Sequence, residues 1–76
     1  MSPKLPHIRA AELLRALKRD GWQPVRQSGS HLTLKHPKKP AFVIVPIHSN
    51  VTLNPTTLAT ILKQAGLTVD DLWKLL

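Results

Sequence analysis

The sequence predicts an α+β domain: a helix, three antiparallel strands, a second helix and a short third one, with the helices on one face of the sheet. Apolar residues recur at helical spacing near both ends, as Ala10, Leu13, Leu14, Leu17 and again as Leu58, Ile61, Leu62, Ala65. Between them, two strand-forming runs close on Gly29-Ser30, and a third follows Pro37-Lys38-Lys39-Pro40. The chain has 76 residues and no Cys, so one core without disulfides or thiolate metal sites is all it can build, and residues 1–76 are read as a single domain.

Met1 to His7, with Pro3 and Pro6, reads as an extended, flexible lead-in. The first helix carries Lys18 and Arg19 in its last turn, where they complement the dipole, and Gly21 is a left-handed stop. Trp22 to Gln27 and His31 to His36 are the first two strands, and glycine at the first central position suits a type II′ hairpin. Ala41-Phe42-Val43-Ile44-Val45 reads as a β-branched, buried third strand. Pro46 to Leu53 is expected to be a loop. Asn54 is an N-cap with Pro55 at the first helical position, and Gly66 ends the second helix. Thr68 and Asp71 form a capping box for the third helix, with Leu67 and Leu72 as a hydrophobic staple. Val69, Leu72, Trp73 and Leu76 are its expected apolar face, and Trp22 is expected under the first helix.

The net charge is +7, and it is unevenly placed. Residues 1–40 hold nine of the eleven Lys and Arg against Glu12 and Asp20, whereas Lys63 and Lys74 cancel Asp70 and Asp71. Such a basic half attracts polyanions through counterion release. The longest apolar runs are too short to cross a bilayer, and the first residues lack the apolar core of a signal peptide. A soluble cytoplasmic protein is the expectation, with no membrane partner.

From Gly21 to Val69 there is no carboxylate, and His31 stands in that stretch just past Ser28-Gly29-Ser30. Pairing Ser28 with His31 sets Arg26 against Thr33 and Pro24 against Lys35. Cross-strand partners share a face, so Ser28, Arg26, His31, Thr33 and Lys35 gather on one side, with Val25, Leu32 and Leu34 on the core side. A one-residue slip would bury Arg26 and expose Leu34. An imidazole exposed among cations suits chemistry on a phosphodiester, although a residue beside a turn also commonly does no more than hydrogen-bond locally.

Asp20-Gly21-Trp22, Arg26-Gln27-Ser28-Gly29-Ser30-His31, His36-Pro37, Val45-Pro46-Ile47-His48 and Ile61-Leu62-Lys63-Gln64-Ala65-Gly66-Leu67 together resemble the HicA toxins, in order and over about the whole domain. The chain departs from the family's usual basic and glycine residues at Asn54-Pro55-Thr56-Thr57. The resemblance implies a double-stranded-RNA-binding-like fold, an mRNA-cleaving activity and neutralisation by a HicB-type antitoxin. It places the catalytic histidine of the family's Gly-Ser-His motif at His31.

RNA supplies its own nucleophile, the 2′-hydroxyl, so one imidazole transferring protons suffices without a metal-bound water. Arg26 and Lys35 can stabilise the developing phosphorane charge. The expectation is therefore a metal-independent endoribonuclease with His31 as general acid or base. Arg26, Ser28, Gly29, Ser30, Thr33, Lys35, Lys38 and Lys39 are the expected RNA contacts, and no cofactor is implied. Single-stranded or structured mRNA is the substrate, and the spacing of the histidines does not suit zinc. His36 reads as a sheet-edge hydrogen-bonder, His48 as a loop residue and His7 as part of the lead-in. The competing readings are a non-catalytic RNA-binding module of the same fold and a domain that docks an acidic protein.

Overall fold

In the computed structural model, which describes residues 4–47 and 52–76, two helices pack on one face of a three-stranded antiparallel sheet and a third packs against the first helix. The elements run α1 (Ala10–Asp20), β1 (Gln23–Ser28), β2 (His31–His36), β3 (Lys39–Pro46), α2 (Pro55–Ala65) and α3 (Val69–Leu75). The sheet order is β1-β2-β3, so β2 is central and both neighbours are edges. This is the α+β fold expected, and it agrees with a double-stranded-RNA-binding-like architecture.

The helices form where apolar spacing and caps coincide. In α1, Ala10, Leu13, Ala16 and Leu17 are buried, and the chain leaves the helix at Gly21 with φ 108°. The Glu12 carboxylate accepts from the Arg9 backbone N–H at 3.2 Å, satisfying one orphan donor of the first turn. In α2, the Asn54 side chain accepts from the Thr56 N–H at 2.8 Å, and Leu58, Ile61, Leu62 and Ala65 are buried as their spacing requires. In α3, the Thr68 and Asp71 side chains accept reciprocally from each other's N–H at 3.0 Å. The core joins these faces to Trp22 on the way into β1, Leu34 on β2, and Val43 and Val45 on β3. Each fully buried aliphatic side chain here stabilises the fold by about 1.5–3 kcal/mol.

Several expectations are corrected. Arg26 does pair with Thr33 and Ser28 with His31, but a bulge between Pro24 and Arg26 sets Pro24 against Leu34 and Gln23 against Lys35. Val25 is the extra residue of that bulge and is 54 % exposed, not in the core. Pro24 has no N–H to give the ladder, and β1 is an edge strand whose residues all remain exposed, so the irregularity costs little there.

The β3 strand is buried on one face only. Val43 and Val45 point into the core, while Phe42 and Ile44 are 53 % and 49 % exposed. An unbroken apolar run does not distinguish a strand covered on both faces from one covered on one. The second turn is shorter than expected: β3 begins at Lys39, and the register jumps from Lys35↔Phe42 to His36↔Lys39, leaving Pro40 and Ala41 unpaired.

Trp73 is 48 % exposed and Leu76 40 % exposed, against the expectation that both belong to the core. In so short a helix only Leu72 is fully buried, and the Trp73 indole instead donates to the Lys4 carbonyl at 2.8 Å. Residues 1–3 of the lead-in lie outside the described residues; of the rest Pro6 is buried, as is Ile8 just after it, whose carbonyl accepts the Leu53 N–H at 2.8 Å. His7 is exposed beside them. Pro46, expected to open a loop, is the last residue of β3, and His48 with residues 49–51 lies outside the described residues.

Candidate nucleic-acid interface

The uncovered sheet face is defined by the strand register. Ser28 faces His31, Arg26 faces Thr33 and Gln23 faces Lys35 across the first pair of strands; Pro46, Ile44 and Phe42 face the same three β2 residues across the second. Directly opposed residues share a face. One side of the sheet thus presents His31, Arg26 and Lys35, all exposed, together with Thr33, Phe42 and Ile44. The four carboxylates of the chain, Glu12, Asp20, Asp70 and Asp71, all belong to helices on the other side.

His31 is placed by the hairpin. Gly29 has φ 58°, the left-handed sign that primed two-residue turns need, and a Cβ there would meet nothing within 4 Å. Backbone conformation, and not crowding, is therefore what selects glycine. The Gln27 amide donates to the Gly29 carbonyl at 3.2 Å and braces the turn. His31 follows Ser30 at the first position of the central strand, so its backbone is held from both sides while its ring stays in solvent.

Arg26 is the diagonal neighbour of His31, within reach of a long side chain. Lys35 lies four residues along β2, about 13 Å away. Its ammonium sits 5.7 Å from the centre of the Phe42 ring. Sequence reasoning missed Phe42 and Ile44 as surface residues. Strand alternation alone sets them on the face opposite Val43 and Val45, and the two unpaired residues after the second turn shift the pairing without changing that face.

The remaining expected contacts divide. Ser28, Gly29, Ser30 and Thr33 surround His31. Lys38 and Lys39 lie at the other end of β2, about 17 Å from it, with Lys38 exposed in the turn. Lys39 is occupied: its ammonium pairs with the Asp20 carboxylate at 3.2 Å, donates to the Ala65 carbonyl at 2.8 Å and lies 5.6 Å from the Trp22 ring centre.

His36 belongs to the same cluster and is not on a sheet edge. It is buried, meets the Trp22 ring edge-on at 5.3 Å, and accepts the Lys38 N–H at Nδ1. The proton then sits on Nε2, which donates to the Asp20 carbonyl at 2.8 Å. Among the described residues, no three His, Cys, Asp or Glu side chains come together as a metal-binding group.

A family model described as the HicA toxin of bacterial toxin–antitoxin systems matches residues 10–67, more than half of the chain and everything from α1 through α2. The chain belongs to the HicA toxin family. As a HicA toxin, it is one member of a toxin–antitoxin pair, and His31 with its flanking strands falls within the matched segment. No curated protein matches the chain. Among the described residues of this HicA toxin, no helix is long and apolar enough to cross a membrane.

Proposed function

We propose that this toxin is an endoribonuclease that cuts mRNA, with His31 as general acid or base, and that a HicB-type antitoxin neutralises it. The observation that supports this most is a single exposed imidazole, anchored at a hairpin on the central strand, on a sheet face that carries cations and no carboxylate. The attacking group belongs to the substrate. The 2′-oxygen forms a bond to the adjacent phosphorus, the bond from phosphorus to the 5′-oxygen breaks, and a cyclic 2′,3′-phosphate remains.

As base, His31 takes the proton of the 2′-hydroxyl; as acid, it supplies one to the departing 5′-oxygen. Either role contributes about 10²–10⁴-fold. Arg26, diagonal to His31, is placed to stabilise charge on the reacting phosphate. Lys35 is too far along the strand for that phosphate and instead holds the RNA backbone further on. Ser28, Gly29, Ser30 and Thr33 line the approach, and Lys38 extends the basic track beyond Lys35.

The test is incubation of the purified chain with labelled RNA in EDTA. Cleavage to cyclic-phosphate ends that disappears in His31→Ala, with unchanged circular dichroism, is expected. Undiminished cleavage by His31→Ala would reject the assignment, and a retarded but uncut band with the native chain would favour a non-catalytic RNA-binding module.

A further inference from the structure

The open sheet face combines two features that the cleavage chemistry does not use. Phe42 and Ile44 on β3 are about half exposed, although a domain this small has few apolar side chains to spare from its core. Val25, the unpaired bulge residue, is exposed on the edge strand β1. Phe42 and Ile44 are neighbours on one face of β3, and cations stand among them. Arg26 and Ile44 flank Thr33 from either side, and Lys35 lies over Phe42.

An interleaving of aromatic or apolar and cationic groups on a flat, solvent-facing sheet matches the two demands of a single RNA strand. Unpaired bases offer π-faces to stack, and the backbone offers phosphates to neutralise. A duplex has no free base faces, so it gains nothing from Phe42. An acidic protein partner would meet the cations, but the centre of a protein interface is depleted of charge, and here a lysine lies over the aromatic ring itself.

We propose that Phe42 is a stacking platform for an unpaired base of the RNA, making single-stranded RNA the ligand class of this face. The inference rests on the endoribonuclease reading only for the position of the scissile bond at His31. Phe42 stands beside Lys35, about 13 Å along the sheet from His31, so the stacked base lies a few nucleotides from the cut. In the free protein the Lys35 ammonium covers the ring; when RNA binds, the ammonium moves to a phosphate and the base takes its place.

The experiment measures binding of a single-stranded 2′-O-methyl oligonucleotide carrying 2-aminopurine, which cannot be cut, so binding is read independently of cleavage. The native chain should quench the fluorophore at one position along the strand. Phe42→Leu, which keeps an apolar side chain but no ring face, should abolish the quench and weaken binding by about 5- to 150-fold, and Phe42→Trp should restore both. Binding to a duplex of the same sequence should not change.

Equal single-strand binding by Phe42→Leu and the native chain would overturn the proposal, as would equal weakening for single strand and duplex. If Phe42→Leu bound RNA normally but lost affinity for the antitoxin, the face would belong to the protein partner instead. Circular dichroism melts of each variant establish that it is folded. A chain that stacks RNA but does not cut it would refute the endoribonuclease reading alone.

Discussion

At the residue scale, Gly21 and His36 show how closely the chain end of α1 is fitted to the sheet. Gly21 has φ 108°, and a Cβ added there would stand 2.7 Å from Nε2 of His36. That ring cannot retreat easily, because it is buried against Trp22 and bonded at both nitrogens. Gly21→Ala therefore combines a left-handed backbone penalty with overpacking, and should cost about 2–5 kcal/mol in urea unfolding. Gly29→Ala meets no neighbour and should cost the backbone part alone, about 1–2 kcal/mol. Equal losses in the two variants would contradict the packing account of His36. In the sequence, His36 was legible as a hydrogen-bonder at a strand end. Its burial was not, because that depends on a helix end sixteen residues earlier folding back over it.

At the element scale, the helices were readable and the strands only half so. Helix faces and caps are local properties: the spacing in α2 and the Thr68–Asp71 box can be written down from a few neighbouring residues. Register is not local. The bulge at Val25 moves the side chains before it between faces, the two unpaired residues Pro40 and Ala41 change which residues are opposed while keeping each on its face, and both irregularities occur at prolines that remove ladder donors. Trp73 failed for a related reason: helical periodicity names a stripe, but a helix of seven residues turns only one residue of it fully into the core.

The α3 cap also has a measurable signature. The Thr68 backbone N–H, and after it the Thr68 hydroxyl, hold the Asp71 carboxyl below its ordinary value of 3.8. A carboxylate with a depressed folded pKa stabilises the native state above its unfolded pKa, and that contribution is lost as pH falls through the folded value. Asp71→Asn should thus destabilise the chain at pH 7, and the difference from the native chain should shrink as pH falls below about 3.8. Urea midpoints at neutral pH and at pH 3 measure it; a difference that is constant with pH would contradict the cap's role.

At the scale of the whole molecule, the positive charge lies on two sides. Arg26 and Lys35 belong to the open sheet face, whereas Arg15 is exposed on α1, in the layer behind it. The basic half of the sequence was visible in composition, but composition does not say which cations share a surface. Lys39 illustrates the gap: it reads as one of a basic pair in a turn, yet it is spent on Asp20 and the end of α2. If RNA lies along the open face, Lys35→Ala should lower the slope of log affinity against log salt by about one, and Arg15→Ala should leave it nearly unchanged. Equal reductions would place the RNA elsewhere.

The hairpin, the exposed imidazole and its carboxylate-free surroundings converge on one group, and one comparison isolates it. Native chain and His31→Ala, matched in circular dichroism and thermal midpoint, are incubated with the same labelled RNA in EDTA. The account predicts cyclic-phosphate products from the native chain and none from the variant. Cleavage by both at the same rate would contradict it.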